Sequence, residues 1–501
     1  MDLKNYLSAL FRITLPGIAI LISYPGLSSS QDLLTLERAT EIALSNSPTI
    51  LHSKMNMERN SESLKAQQAA LKTQLSLRIT PYNQTNDRTF NDYYSSWYSS
   101  WTKSSSASLN VSQPLKWTDG TLTVTNQFNW QNAYSEASTR GSESTFNNSV
   151  YFTFQQPIFT YNRTLLSLRQ LVLNLEDAQL SYALQRLSLE KQVATAFYNL
   201  YMSKASLDIS KDELKNQEQS YEIIKNKVDA GLSAQEELFQ AELNLASSKS
   251  SVENNQVSLE NSYDTFKQLI GIPLDDSIAV EANLNFQQVN VDLQKALDNA
   301  LASRMELRQR DIDIENAQFA LIQTEAMNEF KGNINVSYGL VGTDNSLSNV
   351  YDSPAKKQGI GISFDIPVWD WGEKKARVKA SKINIESQRL SLEEDRIGIV
   401  IAIRQAQRSL TNLVTQIDIA SQNIRNAELT YAINLERYKN GDLTSMDLNL
   451  YQNQLSQKKM SYTQALISYR LGLLNLKILS LWDFETNEPV LPEMSILPEE
   501  E

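Results

Sequence analysis

The 501-residue sequence has no cysteine, which excludes disulfides, thiol nucleophiles, thiolate metal sites and a lipid anchor on an N-terminal cysteine. It has a single histidine, His52, in a helical stretch with no serine or aspartate signature around it. No glycine-rich phosphate loop occurs, so the chain cannot supply its own ATP-driven power. The expectation is a protein that is not an enzyme and needs neither cofactor nor metal. Positive charge is in deficit: a formal net charge of −12 disfavours nucleic acid, whose phosphates call for clustered Lys and Arg. Glycine and proline are sparse, at 15 and 12 residues. Between them run long stretches of Leu, Ser, Gln, Asn, Glu and Ala, a mixture suited to long solvated helices packed along narrow seams.

A membrane-length apolar run is also missing. Lys4 and Arg12 precede a short apolar stretch, Ile13 to Ile22, which Pro16 and Gly17 interrupt and Ser28, Ser29 and Ser30 follow. A basic start, a short apolar core and small residues predict a secretory signal over residues 1–30. The stretch is shorter than the ~20 residues a membrane-spanning helix needs. A chain exported in this way and held in a membrane must cross it with strands.

The sequence carries one plan twice. Phe152 to Phe159, containing Pro157, aligns with Ile362 to Trp369, containing Pro367. Each proline is followed 74 residues later by a glycine, Gly231 in the first copy and Gly441 in the second. Upstream, Leu36, Ala39, Ala43, Leu44 and Leu64 match Leu293, Ala296, Ala300, Leu301 and Leu321, all 257 residues apart. The larger offset gives the first copy an extra 47 residues, within 83–149. That stretch is rich in Ser, Thr, Asn, Tyr and Trp, and Leu109 to Leu115 repeats the strand-to-proline pattern there, so it holds either added strands or an exterior loop. The predicted organisation is a first repeat over 31–271 with its insert, a linker over 272–292, a second repeat over 293–482 and a loose acidic tail over 483–501.

Each copy reads helix, strand, strand, long helix, glycine turn, returning helix. Leu75, Leu77 and Ile79 alternate with Ser76, Arg78 and Thr80, and Ile334, Val336 and Tyr338 with Asn335, Ser337 and Gly339. Period-two alternation gives each strand one apolar and one polar face. Four to six such strands cannot close a barrel alone, because an open edge in lipid leaves backbone groups unpaired at several kcal/mol each. The remaining strands must then come from other copies of the chain. The helices make the same demand. Ile403, Leu410, Ile417, Ile424 and Tyr431 recur every seven residues, with Ala406, Leu413, Ala420 and Ala427 between them, and Leu448, Leu455, Tyr462, Tyr469 and Leu476 continue beyond the turn. Such spacing is that of coiled-coil seams.

With strands feeding long helical hairpins in two copies, the chain resembles the TolC family of outer-membrane factors. Gln156 to Thr160 and Pro367 to Gly372 look like the family's strand-to-helix transitions, and Arg437 to Leu448 looks like its second periplasmic turn. The resemblance implies a mainly α protein with membrane β: a trimeric outer-membrane β-barrel continuous with a long periplasmic α-helical barrel of coiled-coil hairpins. It implies a passive export conduit in outer-membrane lipid, a homotrimer, that meets a periplasmic adaptor at the hairpin tips around Gly231 and Gly441 and receives solute from an inner-membrane pump. By the resemblance Asp447 would project into the closed aperture, while Glu237 and Tyr438 match positions of the hydrogen-bond and ion-pair network that holds it shut. Two positions depart from the pattern: Leu443 stands where a well-known member has arginine, and Leu450 where it has a second lumen acid. For Asp447 and Glu237 the simpler reading is that of acids complementing a helix N-terminus. Two other functions stay open from the residues alone. One is a periplasmic coiled-coil scaffold or adaptor without a barrel; the other is an adhesin, suggested by Trp97, Trp101 and Trp117.

Overall fold

The computed structural model describes residues 33–490 except residue 94, residues 137–140 and residues 282–283. The expected signal, 1–30, and the last eleven residues of the acidic tail lie outside the described residues.

The two copies unfold along the chain with matched lengths. In the first, β1 (Leu33–Leu34), α1 (Leu36–Asn46) and α2 (Pro48–Ala70) lead into β2 (Gln74–Asn91), β3 (Ser96–Leu115), β4 (Gly120–Ser135) and β5 (Glu143–Ile158). A helical hairpin follows, α3 (Arg163–Asp229) and α4 (Gln235–Ile270). In the second, β6 (Ala279–Val280), α5 (Leu293–Ser303) and α6 (Met305–Glu325) precede β7 (Lys331–Asp344) and β8 (Ala355–Asp365), then α7 (Glu373–Asn440) and α8 (Ser445–Ser480). The outgoing helices α3 and α7 have 67 and 68 residues, and both returning helices have 36. At 1.5 Å per residue each outgoing helix is about 100 Å long. No described helix is both long and apolar enough to cross a membrane.

The heptad seam predicted for α7 is the buried one. Ile403, Leu410 and Ile417 are buried against Tyr469, Leu473 and Leu476 of α8. Gly472 lets the two helices approach closely: a Cβ there would stand 3.3 Å from the side chains of Leu410 and Leu413. A second cluster joins α1, α3 and α4 through Ala39, Ala43, Phe197 and Phe266. Between the copies, β1 and β6 pair in parallel, Leu33 with Ala279 and Leu34 with Val280. The segment that follows is fixed by Tyr469, whose hydroxyl accepts the Val289 N–H at 2.9 Å and donates to the Gln287 carbonyl at 3.1 Å.

The acidic tail departs from the loose end expected for it, as far as residue 490. β9 (Trp482–Asp483) and β10 (Glu488–Pro489) form a small hairpin. Lys477 holds Asp483 at 3.0 Å and Arg470 holds Glu485 at 2.8 Å, while the Lys295 ammonium sits 3.7 Å above the Trp482 ring. Composition marked this segment as acidic but could not show that cations on α5 and α8 wait for it.

The sheet is continuous and wholly antiparallel, in the order β2-β3-β4-β5-β7-β8. The insert is therefore two added strands. They lie between β2 and β5, and the sheet has six strands rather than four.

Candidate functional site in the sheet and the hairpin tips

Register sets the chemistry of the two sheet faces. Leu75 of β2 stands opposite Val111 of β3, which stands opposite Val124 of β4, then Phe152 of β5 and Tyr338 of β7. The next row of the same face runs Leu122, Phe154, Val336 and Ile360. Many of these side chains are exposed: Leu75, Leu77 and Ile79 by 61–69%, Ile360 by 78%. An apolar band that covers no core is what a lipid-facing wall requires. Two polar residues within it, Asn126 and Asn148, are bonded to each other at 3.2 Å. The opposite face carries Ser108, Asn110, Thr123, Thr125, Thr153 and Ser337, and Thr125 donates to Asn110 at 2.8 Å. That face suits water.

All four long helical connections leave from one end of the sheet. The turn between β3 and β4 lies at this end too and is tied to the first turn of α3. Asp119 accepts the Thr164 N–H at 3.1 Å and the Thr164 hydroxyl at 2.5 Å, and Asn162 donates to the Lys116 carbonyl at 2.9 Å. The added hairpin is thus keyed into the scaffold at the helix N-terminus, where a carboxylate also complements the dipole. Pro157 is the penultimate residue of β5, opposite Asn333, and Pro367 lies just past β8. Around them Phe330 stacks on Phe364 and packs tilted against Phe159, both with centroids 5.4 Å apart, and Trp369 meets Trp371 at 5.6 Å. Trp371 is 90% exposed. Such aromatics belong at a membrane–water boundary. Next to them Asp370 receives the N–H groups of Gly372 and Lys374, which hold its carboxyl below the usual carboxylate range.

At the far end of the helices, Gly231 and Gly441 turn the chain with φ of +70° and +90°, where a side chain would be strained. The three aperture candidates occupy different settings. Tyr438 is buried among Ile224, Ala241 and Leu448. Its hydroxyl donates to the Ser220 carbonyl at 3.2 Å, and Lys227 caps the Tyr438 carbonyl at 3.0 Å while passing 5.1 Å from its ring. Burial pushes the Tyr438 phenol up to about 12, with the Glu237 charge adding to the rise and the Ser445 hydroxyl opposing it. Glu237 accepts from the Ser233 hydroxyl at 2.7 Å. Asp447 is exposed in the first turn of α8, where Thr444 caps its N–H at 3.2 Å and donates to its carboxylate at 2.7 Å. Leu443 packs into the tip cluster, and Leu450 is exposed. The geometry therefore unites the two hairpins through Tyr438 and Lys227, and leaves Glu237 and Asp447 each in its own helix cap. Lys227 escaped the sequence reading because its partner lies 211 residues away.

A sheet with lipid on one face and water on the other, continuous with helical hairpins about 100 Å long, defines the wall segment of an outer-membrane channel with a long periplasmic extension. A family model described as outer membrane efflux protein matches residues 120–272 and 296–479. The chain belongs to the outer membrane efflux protein family. Outer membrane protein TolC of Escherichia coli (strain K12) is 21% identical over 360 residues, 70% of this chain and 72% of that protein. Nodulation protein T of Rhizobium leguminosarum bv. viciae is 19% identical over 311 residues, 58% of this chain and 61% of the relative's length. Among solved structures, the Campylobacter jejuni CmeC outer membrane channel superposes with a TM-score of 0.68 at 15% identity, over 92% of this chain and 87% of that one. A scaffold without a barrel finds no support in this fold, and the aromatic insert that suggested an adhesin is part of the sheet.

Proposed function

We propose that three copies of this chain assemble into a passive export duct, in which solute received from an inner-membrane pump and periplasmic adaptor leaves through a water-filled barrel with no chemical step. The observation that carries this reading is the pair of edges, β2 and β8, left unpaired among the described residues in a sheet with one apolar face. In lipid those edges must pair with another chain. The helices support the same assembly: Ile383, Leu390 and Ile397 of α7 are spaced by seven residues and are 60–62% exposed. That stripe has the spacing of a second coiled-coil seam, left open among the described residues. Three six-stranded sheets would close with eighteen strands, not the twelve that four strands per copy would have given. The hairpin tips would be the adaptor-facing end, with Tyr438 as the internal fastening of the closed aperture and Asp447 as an exposed acid of its rim. The helical repeats and the segment linking them would then act as two halves of one wall.

The test is electrical. Purified protein added to a planar lipid bilayer should give discrete ion-conducting steps, and Asp447→Asn should weaken cation preference if the acid lines the opening. A membrane-inserted protein that stays electrically silent at all voltages, with Tyr438→Ala as well as without it, would sink the reading.

A further inference from the structure

Above the apolar band, on its lipid-facing side, the outer ends of β2 and β3 form an open cleft of about 630 Å³. Alternation places Gln84, Asn86 and Arg88 of β2 on this face, opposite Lys103, Trp101 and Ser99 of β3 respectively. The switch of face along β2 comes from a bulge between Thr80 and Asn83, which brings the even-numbered residues outward beyond it. The Arg88 guanidinium lies 5.5 Å from the Trp97 ring and the Lys103 ammonium 5.1 Å from the Trp101 ring. Trp101 in turn stacks on Tyr134 at 5.7 Å, and Trp97 packs on Phe90 at 5.3 Å. Neither cation has an ion-pair partner among the described residues. Two carboxylates stand near. Asp87 lines the cleft but alternates to the opposite face with Ser100, and Glu136 is engaged by the Ser99 N–H at 2.7 Å.

Height decides what meets this cleft. Lys103 is twelve residues outward from Leu115, at the helix-side end of β3. At about 3.3 Å per residue and a tilt of about 40°, that is roughly 30 Å, one hydrocarbon thickness. Two aromatic-backed cations therefore stand where the outer leaflet's headgroups begin. They lie four residue levels apart, about 13 Å along the strands, a spacing that suits two phosphates on one sugar-based headgroup. Aromatic rings beside the cations give the sugar and the upper acyl chain a surface to lie on. Between the charges Gln84 accepts from the Tyr82 hydroxyl and donates to the Asn86 side-chain oxygen at 3.1 Å, which leaves the Asn86 amide N–H groups to face a ligand.

We propose that this cleft is a binding site for a phosphorylated glycolipid of the outer leaflet, with Arg88 and Lys103 each taking a phosphate. The assignment rests on the reading of the sheet as a membrane wall. The experiment uses the full chain in neutral detergent and in vesicles of neutral phospholipid, with the diphosphorylated lipid A disaccharide as probe. The R88Q/K103Q double variant should keep its assembly and melting temperature but bind the probe roughly tenfold more weakly or worse. The K211Q/K215Q variant, which removes equal charge from exposed positions far along α3, should bind as the native chain does. Dephosphorylated lipid A and inorganic phosphate should bind native and double-variant protein alike and weakly. Equal probe affinity in R88Q/K103Q, an equal loss in K211Q/K215Q, or inorganic phosphate binding as tightly as the lipid would overturn the proposal. A chain that fails to enter vesicles at all would instead overturn the membrane reading beneath it.

Discussion

Tyr438 shows how one side chain joins two hairpins that are far apart in sequence. It continues the seven-residue series of α7 from Ile403 to Tyr431, and at this last level the seam meets α3 of the other copy through Ser220 and Lys227. Because the phenol stays neutral up to about 12 in the folded chain but ionises near 10 when exposed, its burial contributes fully below pH 10. That contribution, on the order of 2 kcal/mol, is lost as pH rises from 10 through 12. Amide exchange at the tip should therefore show a loss of stability in this window, and Tyr438→Phe should reduce it, the remainder coming from other phenols that burial also pushes up, Tyr431 of the same cluster among them. The same variant should cost about 1 kcal/mol at neutral pH through the missing hydrogen bond. Gly441 gives a second local test. Its φ of +90° makes Gly441→Ala unfavourable by about 1–2 kcal/mol, readable as faster amide exchange at the α7–α8 turn. Both residues were visible in the sequence, the glycine through its repeat at Gly231. The companions of Tyr438 were not, because contacts over more than 200 residues leave no local periodicity.

Elements were legible wherever a period ran long. The heptads of α7 and α8, the matched copies and the alternation in β2 and β7 are statements about which face is apolar, and packing follows from that. The insert was harder. Its outer half is mostly Ser, Thr, Tyr and Trp, which composition reads as loop, whereas Trp101, Lys103, Ser105, Ala107, Leu109 and Val111 do share one face of β3. Alternation there sets aliphatic against polar only near the helix-side end, so the strand's true length emerges from pairing rather than pattern. Asp119 is the element-scale test of how the insert is seated. Asp119→Ala removes the acceptor for the Thr164 N–H and hydroxyl and should cost about 0.5–2 kcal/mol, measured by melting. The exposed stripe of α7 offers another. Ile383→Lys with Leu390→Lys should leave α7–α8 packing intact, since neither residue is buried. It should shift the assembly toward monomers in analytical ultracentrifugation.

At the scale of the molecule, the proposed three-copy ring would draw a third of its wall from each copy, and the added hairpin makes that share broader than two plain repeats would. Imaging of the assembled ring should count eighteen strands around the barrel; a count of twelve, with β3 and β4 folded away from it, would contradict the continuous register from β2 to β8. Alternating strands too few to close a barrel argued for neighbours but left the width open, because 47 extra residues fit a loop as readily as two strands. The helix-side turn of the hairpin, locked beneath α3 by Asp119 and Asn162, is what commits them to the wall.

The unpaired borders of β2 and β8 have a genetic consequence. A ring closes only when every border finds its mate, so a single subunit with a spoiled edge ruins the company it joins. In a cell making sound and edge-defective chains in equal amounts, only about one three-membered ring in eight would be free of the defect. Edge variants should thus behave as dominant poisons of transport, while simple loss of one of two gene copies would halve the number of ducts and little more.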